Sequence, residues 1–191
     1  MLKTSLITVA LSVLAISSNL LHAAPIRICC MGDSITQGIG TAGSNGGYSW
    51  RYWLWKSMIE DGYSVNFVGS RQVNEARDVT PPAVNGIAFD KDHEGHSGWR
   101  ADQLLNGRNV EQGKLSDWLA TYTPEVLILM IGTNDSLDGQ SANSTVSEIL
   151  QIIRAVQADS PGVTILACSP PKTERPEDGG RIVQILSLIH I

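Results

Sequence analysis

Six consecutive apolar residues, Val126-Leu127-Ile128-Leu129-Met130-Ile131, constrain this chain more than any other feature. So short and so continuous a run suits a strand covered on both faces, the position of a central strand in a parallel sheet. Ile26-Arg27-Ile28-Cys29-Cys30-Met31 runs into Gly32 and reads as a strand entering a turn. Ser64 to Val68, closed by Gly69, reads as another, and Val163 to Cys168 as a further buried one. Helical spacing recurs between them. Ser49 to Asp61 is apolar on most sides, with a narrow polar stripe of Ser49, Lys56 and Glu60, so it should pack against a sheet. Leu115, Trp118, Leu119 and Tyr122 follow the i, i+3, i+4, i+7 pattern of a second helix. Val146, Ile149, Leu150 and Ile153 mark a third, with Thr145 and Glu148 spaced as a capping box, and Ile182, Ile185 and Leu186 begin a last one. Strands alternating with helices predict an α/β fold with a parallel sheet and helices on both faces. Such sheets bind ligands at the carboxyl ends of their strands.

Composition narrows the partners. The chain has 191 residues, 42% hydrophobic and 17% charged, which fits one globular domain and excludes collagen-like, coiled-coil and disordered classes. A net charge of −5 without a Lys/Arg run excludes nucleic acid and anionic membrane as expected partners. A neutral or carbohydrate-like partner fits better. Residues 1–24 read as a secretory signal, with Lys3, the apolar stretch Leu6 to Ile16 and an approximate cleavage site at Leu21-His22-Ala23-Ala24. That stretch is short for a membrane span. We therefore expect a secreted protein, extracellular or periplasmic, a monomer not held to a membrane after cleavage. Cys29, Cys30 and Cys168 form an odd set in apolar runs, so buried thiols are expected rather than a disulfide framework or a metal site.

Three segments stand where strand ends should lie. Gly32-Asp33-Ser34-Ile35-Thr36-Gln37-Gly38 follows the first strand, and Gly132-Thr133-Asn134-Asp135 follows the long apolar one. Between them lies Asp92-His93-Glu94-Gly95-His96-Ser97-Gly98-Trp99-Arg100, the end of a long loop over residues 71–98. Loops of that length in compact domains are usually functional. A serine at a strand-to-loop turn can raise its hydroxyl above the sheet, and neighbouring glycines let a substrate approach the backbone. Acyl transfer also needs donors aimed at a developing oxyanion, a task that backbone N–H groups and an Asn amide can perform.

In their order and spacing these blocks, over residues 26 to about 185, resemble the SGNH (GDSL-type) hydrolases. Phe67-Val68-Gly69-Ser70 together with residues 92–100 is similar, more narrowly, to the acetyl-xylan-esterase group, carbohydrate esterase family three. The resemblance implies a three-layer α/β/α sandwich, flavodoxin-like in outline, and hydrolysis of acyl esters without a cofactor or metal. It implies Ser34 as nucleophile, Gly98 as a backbone N–H donor and Asn134 as a side-chain donor, with the Ser34 N–H completing an oxyanion hole. Each has a plain rival: Ser34 as a helix cap, Gly98 as a turn glycine with Gly69 or Gly95 in its role, Asn134 as a turn residue. Asp33 and Asp135 read as orienting or backbone-binding groups. The expected partner is an acylated, most simply acetylated, plant polysaccharide. The alternatives are a lipid ester or thioester, or a non-catalytic carbohydrate-binding module using Trp99. His93-Glu94-Gly95-His96 lacks the four-residue spacing of a helical zinc signature, so it reads as a source of loop-ordering hydrogen bonds.

A serine nucleophile needs a general base. The family carries it as Asp-x-x-His near the C-terminus; here the only late histidine is His190, preceded three residues earlier by Ser187. Residues 186–191, Leu-Ser-Leu-Ile-His-Ile, resemble a translated transposon mosaic end. The expectation is a hydrolase domain over 25–185, incomplete at its end and lacking its last strand, followed by a non-native tail, with almost no turnover by the chain as it stands.

Overall fold

The computed structural model describes residues 24–38, 48–72 and 80–171. The expected signal segment, the last helix and the 186–191 tail lie outside these residues. The first strand, β1 (Ile26–Gly32), leads through a one-turn helix, α1 (Ser34–Gln37), to α2 (Trp50–Glu60) and β2 (Val65–Val68). A two-residue strand, β3 (Glu94–Gly95), precedes α3 (Ala101–Asn106) and α4 (Leu115–Leu119). Then come β4 (Val126–Met130), α5 (Thr133–Leu137), α6 (Ala142–Asp159) and β5 (Thr164–Ala167).

All pairings between strands are parallel, in the order β2-β1-β4-β5, with β3 set against the end of β1. Apart from β3, this is the order of the flavodoxin-like sheets, with the chain reversing its direction of growth between β1 and β4. Successive side chains of a strand point to opposite faces, and the sequence exploits that. Cys29 and Met31 of β1 join Leu127 and Leu129 of β4 under α3, α4 and α6, whereas Ile28, Cys30 and Ile128 join Phe67 under Tyr52, Trp55 and Ile59 of α2. Both faces are covered, as expected from the continuous apolar runs.

Several local expectations are corrected. The third helix begins a turn earlier than the Thr145/Glu148 spacing suggests: Ser141 is its cap, accepting the Ser144 N–H at 3.2 Å. Thr145 instead donates its hydroxyl to the Ser141 carbonyl, and Glu148 accepts from Gln140 and Ser144. The second helix ends at Leu119, but the chain continues in hydrogen-bonded turns, with the Tyr122 N–H donating to the Trp118 carbonyl at 3.3 Å, before Pro124 bars helical backbone at Thr123. Tyr122 donates its hydroxyl to Glu94. β5 is not buried: Ile165 packs against the α6 side, but Leu166 on the opposite face is exposed, and so is Ala167 at the strand's end. Cys168 shares that exposure, while Cys29 and Cys30 are fully buried. Among the described residues no helix is long and apolar enough to cross a membrane.

Candidate active site

The strand ends bring the three segments together. Gly32 of β1 is level with Met130 of β4 and with Gly95 of β3. Ser34, Asn134 and Gly98 follow these residues by two, four and three positions, so all three emerge at the carboxyl edge of the sheet. That edge lies beside the β1/β4 reversal, the usual ligand crevice of open parallel sheets. Gly32 has to be glycine, because a β-carbon there would collide with the Met130 carbonyl and the Thr36 hydroxyl.

Hydrogen bonds then lock each segment to the next. The His96 N–H donates to the Gly32 carbonyl and the Ser97 N–H to the Gln37 side-chain oxygen, both at 2.8 Å, joining the second segment to the first. Asn134 Nδ2 donates to the Trp99 carbonyl at 2.8 Å, and the Ala101 N–H donates to both Asp135 carboxylate oxygens at 3.1 and 3.3 Å, joining the third to the second. An Asn amide has two hydrogens. The one given to Trp99 fixes the side chain.

Ser34 opens α1 directly after its cap, Asp33, whose carboxylate accepts the Ile35 N–H at 2.9 Å. The cap is thus Asp33, and the half-buried Ser34 is not spent on that role. Burial raises the Asp33 carboxyl above its usual range, partly offset by the Ile35 N–H and the Thr133 hydroxyl beside it. Arg51, buried on α2, donates to the Thr36, Gln37 and Lys91 carbonyls at 2.8, 3.3 and 3.1 Å. Two of these are carbonyls of α1 itself, so the serine-bearing turn is pinned from below. Burial lowers the Arg51 pKa to about 10, which leaves the group cationic.

Gly98 sits third in the turn His96-Ser97-Gly98-Trp99, which is closed by the Trp99 N–H to the His96 carbonyl at 3.2 Å. Its φ of 73° is the left-handed value that this turn position requires and that glycine adopts without strain. Gly69 and Gly95, the other candidates for its role, are committed to close packing: β-carbons there would collide with the backbone of His93 and of Gln37.

Glu94 organises the floor of the second segment. Fully buried, it accepts from the Ser70 N–H (2.9 Å), the Ser70 hydroxyl (2.7 Å) and the Tyr122 hydroxyl (2.8 Å), and it bonds His96 Nε2 at 2.7 Å. The His96 ring stacks between Trp99 and Trp118, with centroids 4.4 and 4.5 Å away. His93 Nδ1 accepts the Gly95 N–H at 2.9 Å. The His-Glu-Gly-His segment therefore orders its loop through hydrogen bonds, and among the described residues no group of three or more His, Cys, Asp or Glu side chains could hold a metal ion. Trp99 is only 2% exposed and Arg100 is paired with Asp102 and Asp138, so neither offers the sugar-stacking face that a binding module would need.

Burial also governs Asp135, whose carboxyl is raised to about 6, with Glu148 and Asp102 adding to the rise and the Ala101 N–H opposing it. Sequence reasoning missed the roles of Gln37, although it lies inside the first segment, and of Arg51 on α2. Each acts across the fold, on partners that no local motif or periodic pattern brings to it.

Comparison with known proteins fits this arrangement. The chain matches the GDSL-like Lipase/Acylhydrolase family over residues 30–187. It is 34% identical over 127 residues to a multidomain esterase of Ruminococcus flavefaciens, an alignment covering 61% of this chain and 15% of that protein. The crystal structure of a carbohydrate esterase family 3 protein from Talaromyces cellulolyticus superposes with a TM-score of 0.67 at 27% identity, covering 86% of this chain and 70% of that one. A family 3 carbohydrate esterase of Clostridium thermocellum gives 0.63 at 30% identity, covering 86% and 69%. With its three strand-end blocks tied together at one sheet edge, the chain belongs to the GDSL-like lipase/acylhydrolase family.

Proposed function

We propose that this protein is a secreted esterase that removes acyl groups, most simply acetyl, from a plant polysaccharide such as xylan through a serine acyl-enzyme. The observation that carries the reading is the set of hydrogen bonds tying the Ser34, Gly98 and Asn134 segments to one another at the carboxyl edge of the sheet. In this reading Ser34 Oγ attacks the ester carbonyl and gives up its proton to a general base. The carbonyl oxygen becomes an oxyanion, accepting from the Ser34 and Gly98 N–H groups and from the remaining hydrogen of Asn134 Nδ2. Collapse expels the sugar hydroxyl, which takes the proton from the base. Water, deprotonated by the same base, then releases the acid and restores Ser34.

The base is assigned outside the described residues. His93 and His96 are both buried and engaged within their own loop, and His190 is not carried into the mechanism. Donors fixed before the substrate arrives need no reorganisation as charge develops, which is why each is worth about 3 kcal/mol in such sites.

A fluorophosphonate tests this directly. In protein that also carries the general base, one adduct should form, mapping to Ser34 and lost in Ser34→Ala, and acetate should be released from acetylated xylan. An adduct elsewhere, or none together with no acetate released, would refute the reading.

A second reading has one observation in its favour. Ile35, Trp50, Ile128, Met130, Cys168, Ser169 and Pro171 line an open, largely apolar hollow of about 370 Å³, reached at Ile35, the residue after Ser34, which suits a longer acyl chain. A series of esters from acetyl to octanoyl separates the two, since the hollow predicts a rate rising with chain length and the acetyl esterase predicts one that falls.

A further inference from the structure

The surface next to Gly98 carries a cation that the ester chemistry above does not use. Arg108 stands on the loop between α3 and α4, and its Nη1 lies 3.5 Å from where a β-carbon on Gly98 would project. It makes no hydrogen bond or ion pair with any described residue. Arg100, the neighbouring guanidinium, is by contrast neutralised by Asp102 and Asp138. Behind Arg108 opens a hollow of about 390 Å³, whose lining includes Asn106, Asn109, Lys114 and one carboxylate, Asp117. The lining sets two cations, Arg108 and Lys114, against one anion, with Glu111 on the same loop but outside the lining.

The hollow is preformed. Asn109 accepts the Gln112 N–H at 3.0 Å, closing the loop on itself, and Trp118 Nε1 donates to the Gln112 carbonyl at 2.9 Å. Trp118 is in turn stacked on His96, two residues before Gly98, so the loop and the candidate oxyanion donor share one rigid support. A site held this way loses little entropy when a ligand is bound.

From this placement we infer that Arg108 and the hollow behind it receive a carboxylate-bearing sugar, a uronic acid residue, neighbouring the esterified one. A planar guanidinium matches a carboxylate through two parallel hydrogen bonds, and Asp117 suits a sugar hydroxyl, the Asn106 and Asn109 amides being engaged with the Asp102 carbonyl and with Gln112. The substrate would therefore be an acidic acetylated polysaccharide rather than a neutral one. This inference rests on the esterase reading above and adds its charge preference.

The test measures binding, so it does not depend on turnover. Ser34→Ala protein is titrated with two acetylated xylo-oligosaccharides of equal length, one bearing a glucuronic acid branch and one without, at low and at 0.5 M salt. An exposed pair of this kind is worth up to about 1 kcal/mol, or roughly fivefold in affinity. The acidic ligand should bind about fivefold more tightly at low salt, lose that advantage at high salt, and show a ratio near one with Arg108→Gln. Equal binding of both ligands by the parent protein, or a preference that survives Arg108→Gln, overturns the assignment of Arg108 while the esterase reading stands. Binding of neither ligand, in protein whose Ser34-bearing parent does take the fluorophosphonate adduct, overturns the polysaccharide assignment and this inference with it.

Discussion

Asp135→Asn probes the junction between the second and third segments. The Asp135 carboxylate is wholly buried, accepts the Ala101 N–H through both oxygens and is also within reach of its own backbone N–H. These two N–H groups do not compensate a buried charge, and the carboxyl is raised to about 6 from an ordinary value of roughly 3.9. The folded state therefore holds this proton more tightly than the unfolded chain. Between about pH 4 and pH 6 the fold carries more protons than the unfolded chain, so stability due to this group is full below pH 4 and is lost as pH climbs through 6. A gap of roughly 2 pKa units corresponds to about 3 kcal/mol by pH 7. Asn keeps an oxygen for the Ala101 N–H and does not titrate. Urea unfolding of the parent and of Asp135→Asn from pH 4 to pH 7.5 should show the difference moving in favour of the variant by up to about 3 kcal/mol as pH rises. Subtracting the two curves removes the contribution of every other carboxylate. A difference that stays flat with pH, or that moves in favour of Asp135, refutes the argument.

Two further outcomes follow from the supports of the site. Arg51→Met should destabilise the fold by roughly 3 kcal/mol, because two buried carbonyls and one part-buried carbonyl lose a charged donor, and the urea midpoint reads this. Gly98→Ala should cost about 1–2 kcal/mol from the left-handed backbone; only Arg108 lies near the added methyl, so circular dichroism should show an intact fold, with fluorophosphonate labelling of Ser34 slowed at least tenfold as the turn shifts.

The parts of the fold legible in the sequence are those where the physics is local. The six-residue apolar run and the run from Ile26 had to be strands covered on both faces, and their ends had to be loops, so the position of Ser34 and Asn134 at one edge followed. The third helix was legible, but its first turn was not, because Ser141 and Thr145 are both plausible cap chemistry and only the packed structure selects between them. β5 has the composition of a core strand, yet its exposure depends on what other parts of the chain cover it. Residues 71–98 showed no periodicity, and the described part of this stretch is held by contacts made far along the chain. Glu94 meets Ser70 and Tyr122, and Arg51 reaches Lys91. Glu94 lies inside a segment already singled out, but its role as a hub depends on Ser70 and Tyr122, 24 and 28 residues away along the chain.

The most direct test of the account is the rate at which Ser34 reacts when the Asn134 amide is removed. Asn134→Ala deletes the donor that Trp99 holds in place, and fluorophosphonate labelling of Ser34, followed by intact mass, should slow by about a hundredfold or more while the far-ultraviolet spectrum stays that of the parent. A labelling rate within twofold of the parent would mean that the amide does not point at the reacting oxygen, and the convergence of the three segments would then serve folding alone.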